Sequence, residues 1–127
     1  MFFAYPENYF IQIFMQAQRN NDVPQLRKLL DKDVRILTPG KLGEIEISKG
    51  EYLSFLQQVG KLDQDCYPQY EIVKLTPNTA EVNIDFAYPD FVAKHSLTMV
   101  KKGDDWKIIQ LRKLIETEPA PVTVMQQ

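Results

Sequence analysis

Histidine is the side chain whose ordinary pKa lies closest to physiological pH, and this chain carries one, His95. It sits inside an alternating apolar row, Phe91, Ala93, Leu97 and Met99, so a period of two turns it toward the same side as that row. On such a wall a neutral imidazole serves as a general base or as a hydrogen-bonding anchor for a ligand. The competing reading is a core or wall histidine bonded to a backbone carbonyl, because no orienting acid accompanies it. Asp85 is the natural partner by type. It alternates with Val82 and Ile84, on the same side as Glu81 and Asn83, and so points away if the apolar residues face inward.

Other chemistry-bearing groups are sparse. Glu44 and Glu46 share one face of a short strand, where they could flank a metal or act as paired carboxylates. One histidine and one cysteine, Cys66, are too few for a transition-metal site, and an exposed strand face is the simpler reading. Asp63-Gln64-Asp65 begins like a calcium loop but lacks the glycine and the distant glutamate, so it reads as a solvated turn. Ser48 is engaged as a helix cap, and Ser54 and Ser96 have no base near them in the pattern. There is no nucleophile elbow, phosphate loop or dinucleotide fingerprint, and no cofactor is expected. Aromatic residues are the richer signal. Most belong in a core, but an apolar, aromatic-walled hollow with one or two polar groups is a typical small-molecule site. The expected wall is Phe14, Tyr52, Phe55, Phe86 and His95.

These residues need elements to position them. Phe10, Ile13, Phe14 and Ala17 fall on one stripe of a helix from about Glu7 to Asn20. Asp22 caps a second, short helix with Pro24 near its start and Val23, Leu26, Leu29 and Leu30 on one stripe. Asp31, Lys32 and Asp33 break that pattern before a strand at Val34, Ile36 and Leu37. Leu42, Ile45 and Ile47 suggest an irregular strand bent at Gly43. Ser48 with Glu51 matches a capping box, opening a third helix with Tyr52, Phe55, Leu56 and Val59 on its buried side. From Cys66 onward the period is two. Four strands follow, the last running from Trp106, with Ile109, Leu111 and Ile115 expected on one face and Trp106, Ile108, Gln110, Arg112 and Leu114 on the other. Helices early and an antiparallel meander late describe an α+β domain.

With 127 residues, 44% hydrophobic and 25% charged, the chain suits one domain over residues 1–116 with a loosely held tail at 117–127. A net charge of −2 argues against a nucleic-acid partner. The basic pairs Arg27-Lys28, Lys101-Lys102 and Arg112-Lys113 read as solvated surface. The opening MFFAYPENYF has neither a basic lead nor a small-residue cleavage site, no stretch reaches the length of a membrane span, and the expected location is cytoplasmic.

The order and spacing of these pieces resemble the nuclear-transport-factor-2-like superfamily, which includes ketosteroid isomerases and SnoaL-like cyclases. The resemblance rests on the Asp22-Val23 helix start, the Leu29-Leu30-x-x-Asp33-Val34 step, the strand ending at Pro39, the helix from Ser48 to Val59 and the final hairpin from Gly103 to Ile108 with Trp106. It implies a cone: a curved antiparallel sheet with three N-terminal helices on its concave face, a cavity at the open end, and a homodimer through the outer sheet face at Ser96, Thr98, Val100, Gln110 and Arg112. It also implies three positions for ketosteroid-isomerase chemistry, and here they hold Phe14, Thr38 and, near the third, Leu97. Phenylalanine and leucine donate no hydrogen bond to an enolate, and a threonine hydroxyl is too weak a base to take the proton. Dienolate isomerisation by that route is not expected. The resulting expectation is a protein that binds a small apolar molecule. The alternatives are an isomerase, dehydratase or cyclase with His95 as base, and a protein-interaction module.

Overall fold

The computed structural model describes residues 6–60 and 65–117. The turn expected at Asp63 and Gln64 and the tail after Thr117 lie outside them. Three helices precede most of the sheet: α1 (Glu7–Asn20), α2 (Val23–Leu29) and α3 (Lys49–Val59). The six strands are β1 (Leu30–Gly40), β2 (Gly43–Ile47), β3 (Tyr67–Leu75), β4 (Thr79–Ala87), β5 (Phe91–Lys102) and β6 (Asp105–Thr117). They form one curved, unclosed sheet in the order β2-β1-β6-β5-β4-β3. The fold is the expected α+β arrangement. Its one difference from an all-antiparallel sheet is the junction of β1 with β6, which is parallel.

Local chemistry explains the helix boundaries. α1 stops at Asn21, which takes the left-handed conformation (φ 54°) that asparagine tolerates better than most residues. The buried Asn21 amide then donates to the carbonyls of Leu56 (2.8 Å) and Gly60 (2.6 Å), tying the α1–α2 corner to the end of α3. Asp22 accepts from the Gln25 amide as the α2 cap. Ser48 and Glu51 form the full capping box of α3.

Three details depart from the sequence reading. β1 begins at Leu30 rather than Val34, because Leu30 already pairs with Ile108 and an irregularity before Arg35 absorbs the charged triplet. Within it Asp31 is buried, and its carboxylate accepts from Lys102 (2.7 Å) and from the Asp33 amide (3.1 Å). Leu42 is not in a strand but at the tip of the β1–β2 turn, fully exposed, where Gly43 supplies the positive φ the turn needs. The third departure is in β6. Thr98 pairs with Gln110 but Met99 pairs with Ile108, so Ile109 is an extra residue, a β-bulge. The bulge shifts the alternation by one: Leu111 turns into the core with Trp106 and Ile108, whereas strict alternation places it on the opposite face from those two.

The core lies between the helices and the concave side of the sheet. α1 contributes Phe10, Ile11, Phe14 and Ala17; α2 contributes Val23, Leu26 and Leu29; α3 contributes Tyr52, Leu53 and Leu56. Phe55 and Val59, expected on the buried side of α3, are exposed at 61% and 46%, while Leu53 is buried in their place. The apolar stripe of α3 is rotated from the one inferred, because Tyr52-Leu53 and Leu56 satisfy the same helical spacing. Among the described residues, no helix is long and apolar enough to cross a membrane.

Candidate functional site

β5 carries His95 into the concave side between Ala93 and Leu97, as the alternation required, and its side chain is 4% exposed. Phe86 on β4 lies edge-on to the imidazole, with ring centres 5.0 Å apart, and Phe14 on α1 lies edge-on at 6.3 Å. Neither ring nitrogen of His95 has a hydrogen bond of good geometry, and its one polar neighbour of note is the Ala93 backbone on its own strand. Burial among aromatic rings pushes its pKa down to about 3, with the nearby Lys113 ammonium acting the same way and the Ala93 backbone weakly opposing. At neutral pH the imidazole is therefore uncharged, with one donor and one acceptor unused.

Lys113, in a basic pair that the sequence alone places at the surface, is half-buried. It is the cross-strand partner of His95, and paired residues share a face. Its half-buried side chain lies over the Tyr52 ring, 4.8 Å from the centre, and its Nζ donates to the Tyr52 hydroxyl at 3.2 Å. Tyr52 in turn donates to Oε1 of Gln18 on α1, also at 3.2 Å. A polar line from β6 through α3 to α1 thus runs beside the histidine. Lys113 has no carboxylate partner among the described residues. The signal that could have found it was Leu111-x-Lys113-x-Ile115, in phase with the inward row of β5. Gln18 offered no comparable signal.

Of the expected wall, the structure brings together Phe14, Tyr52, Phe86 and His95 and leaves Phe55 outside in solvent. The four are close-packed. With Phe14 at 0% and Phe86 at 1% exposure, no water-sized space touches their side chains to any extent. A cleft of about 170 Å³ among Asn83, Asp85, Ser96 and Arg112 borders His95 from the outer side of the sheet, and the other open clefts lie elsewhere. One of about 330 Å³ is bounded by Tyr9, Gln12, Ile13, Gln16 and Gln25 along α1 and α2. Another of about 250 Å³ lies between Phe10, Lys28, Leu29 and the β5–β6 turn beside Trp106, whose buried indole N–H is also without a partner.

The remaining candidates are accounted for by salt bridges. Asp85 faces away from His95 and pairs with Lys94 at 3.6 Å. Glu44 and Glu46 hold arginines rather than a metal: Arg112 donates through Nε to Glu44 at 2.8 Å, and Arg35 through Nη2 to Glu46 at 2.9 Å. Ser96 donates to Asn83 at 3.1 Å on the outer face. Thr38 lies on β1 opposite Ile45, and Leu97 is buried in the core.

Comparison with solved structures finds the same fold at low identity. A nuclear-transport-factor-2-like protein of unknown function from Silicibacter pomeroyi superposes with a TM-score of 0.73 at 12% identity, covering 86% of this chain and 92% of that one. A cystatin-like fold protein from Burkholderia xenovorans gives 0.71 at 12% identity, with 88% and 90% covered. A nuclear-transport-factor-2-like protein of unknown function in nutrient uptake from Rhodospirillum rubrum gives 0.70 at 12% identity, with 91% and 100% covered. No curated protein sequence matches. The nuclear-transport-factor-2-like fold read from the motifs is thus the fold of the molecule, and with residues 8–111 matched by its model, the chain belongs to the protein family described as "Putative lumazine-binding".

Proposed function

We propose that this chain binds a small, flat, largely apolar molecule on the concave side of its sheet, anchored at His95. One observation carries the reading: a buried imidazole without a well-formed hydrogen bond at either nitrogen, set among aromatic rings. Buried polar groups are almost always hydrogen-bonded, and an exception marks a place where a partner is missing. The family description points the same way, since a lumazine is a flat bicyclic ring with N–H and C=O groups on its edge, and a neutral imidazole offers one donor and one acceptor to such an edge. The free chain is closed around Phe14 and Phe86, so binding requires the helices to part from the sheet there, at a cost in affinity.

Titrating the full chain into lumazine and into 2-naphthamide, with ligand fluorescence as the readout, tests this reading. Saturable binding of at least one probe that weakens in His95→Leu is expected. No saturation with either, or identical curves for the variant, overturns it. Catalysis with His95 as general base is less well supported: a group with pKa near 3 is a poor proton acceptor, and no carboxylate orients it.

A second reading, a protein-interaction module, draws on a different observation. β3 is an edge strand, and Tyr67, Val73 and Leu75 along it are 68%, 55% and 50% exposed. Edge strands with apolar side chains favour pairing with another chain. Self-association through the outer face of the sheet is the related proposal, and light scattering at micromolar concentration tests it.

A further inference from the structure

We infer that the ligand of this site carries one negative charge, a carboxylate or its equivalent on an aromatic ring, seated against Lys113 beside His95. The inference rests on the small-molecule reading above and adds the ligand's charge. Lys113 is the observation behind it. β6 turns this lysine to the same side as His95, where α3 half-covers it. Its polar partner is a neutral hydroxyl and its nearest π partner a neutral ring. The cations on the outer sheet face are handled differently: Arg35, Lys94 and Arg112 each have a carboxylate at 2.8 to 3.9 Å.

A half-buried ammonium without a counter-ion interacts more strongly with an incoming anion than an exposed one does, because the surrounding apolar side chains screen it less than water. The adjacent imidazole has an unused N–H to give to the same anion. Tyr52, already oriented by Gln18 at one side and Lys113 at the other, holds the ammonium in place. The aromatic edges of Phe14 and Phe86 select a flat ring over an aliphatic chain. With Lys113 as the cation beside His95, a monoanion suits the site better than a phosphate ester.

The test compares 2-naphthoate with 2-naphthamide, a pair alike in size and shape and different in charge, by isothermal titration against the full-length chain at pH 7.5. Naphthoate is expected to bind about tenfold more tightly than the amide, the scale of a charge-assisted hydrogen bond. Lys113→Met should abolish that preference, and Lys113→Arg should keep most of it, with thermal melts of both variants confirming that they fold. Equal affinities for the two probes in the wild-type chain, or a preference that survives Lys113→Met, overturns the charge assignment and leaves the small-molecule reading standing. Binding of neither probe overturns the charge assignment, and the small-molecule reading falls with it if lumazine also fails to saturate.

Discussion

At the scale of single residues, His95 sets the strongest expectations. An unpartnered polar group in an apolar core destabilises the fold by about 1–3 kcal/mol, so His95→Leu, which fills a similar volume, should raise stability by about that amount in urea unfolding. The acid limb of the stability curve should change as well. In the unfolded chain a histidine takes up its proton near pH 6.5, whereas buried His95 does so only near pH 3. Between those values the unfolded state holds more protons, so acidification favours unfolding, by about 1 kcal/mol or slightly more per pH unit from this group. His95→Leu should flatten that limb, and an unchanged slope between pH 6 and 4 would contradict the burial described. The groups acting on the imidazole are Lys113 from β6, the rings of Phe86 from β4 and Phe14 from α1, and the Ala93 backbone. Because the chain has a single histidine, its ring proton can be followed by NMR without assignment, and Lys113→Met should move its titration upward. Phe14→Ala should cost about 3–5 kcal/mol, the loss of a close-packed ring. The inward placement of His95 was legible because alternation along β5 is unbroken. That of Lys113 was not, because a basic pair reads as surface unless its strand is first put in phase with its neighbour.

At the scale of elements, caps and corners were legible and the β6 register was not. The Asp22 cap and the Ser48–Glu51 box need only residues three apart, so local sequence defines them. A bulge is different. Ile109 is extra only relative to β5, and nothing within β6 announces which residue is left unpaired. The side chains of α3 were misplaced for a related reason: Phe55 and Leu53 are equally apolar, and tertiary packing decides between them. Asn21 joins two elements at once, supplying a left-handed corner and two hydrogen bonds to α3. Asn21→Ala should lower stability by about 2–4 kcal/mol in chemical denaturation, from the stranded carbonyls and the backbone conformation together. Asp31 likewise joins two elements, the start of β1 and the end of β5. Its hydrogen bond from Lys102 leads the effects that hold its carboxyl below the usual range. Its contribution is present at neutral pH and is lost as pH falls through that lowered value, the same direction as for His95.

At the scale of the molecule, the α+β class followed from periodicity and element order, and the helices on the concave side from the resemblance those elements carry. What strand order required, and local pattern does not carry, is the pairing of β1 with β6 across most of the chain. The ion pair of Glu44 with Arg112 reaches over β1 to fasten β2 toward the same strand. It is an exposed pair, so Glu44→Gln should change stability by less than about 1 kcal/mol, measured in parallel with Asn21→Ala.

The parallel junction has a consequence for synthesis. β1 finds its inner neighbour only in β6, which leaves the ribosome after every other described strand. Until then α1, α2 and β1 wait for the strand that joins β1 to the rest of the sheet, while β3 to β5 zip together by short hairpins. The nascent amino-terminal half is therefore the portion that a chaperone would have reason to hold, and a chain cut before Asp105 should aggregate rather than fold.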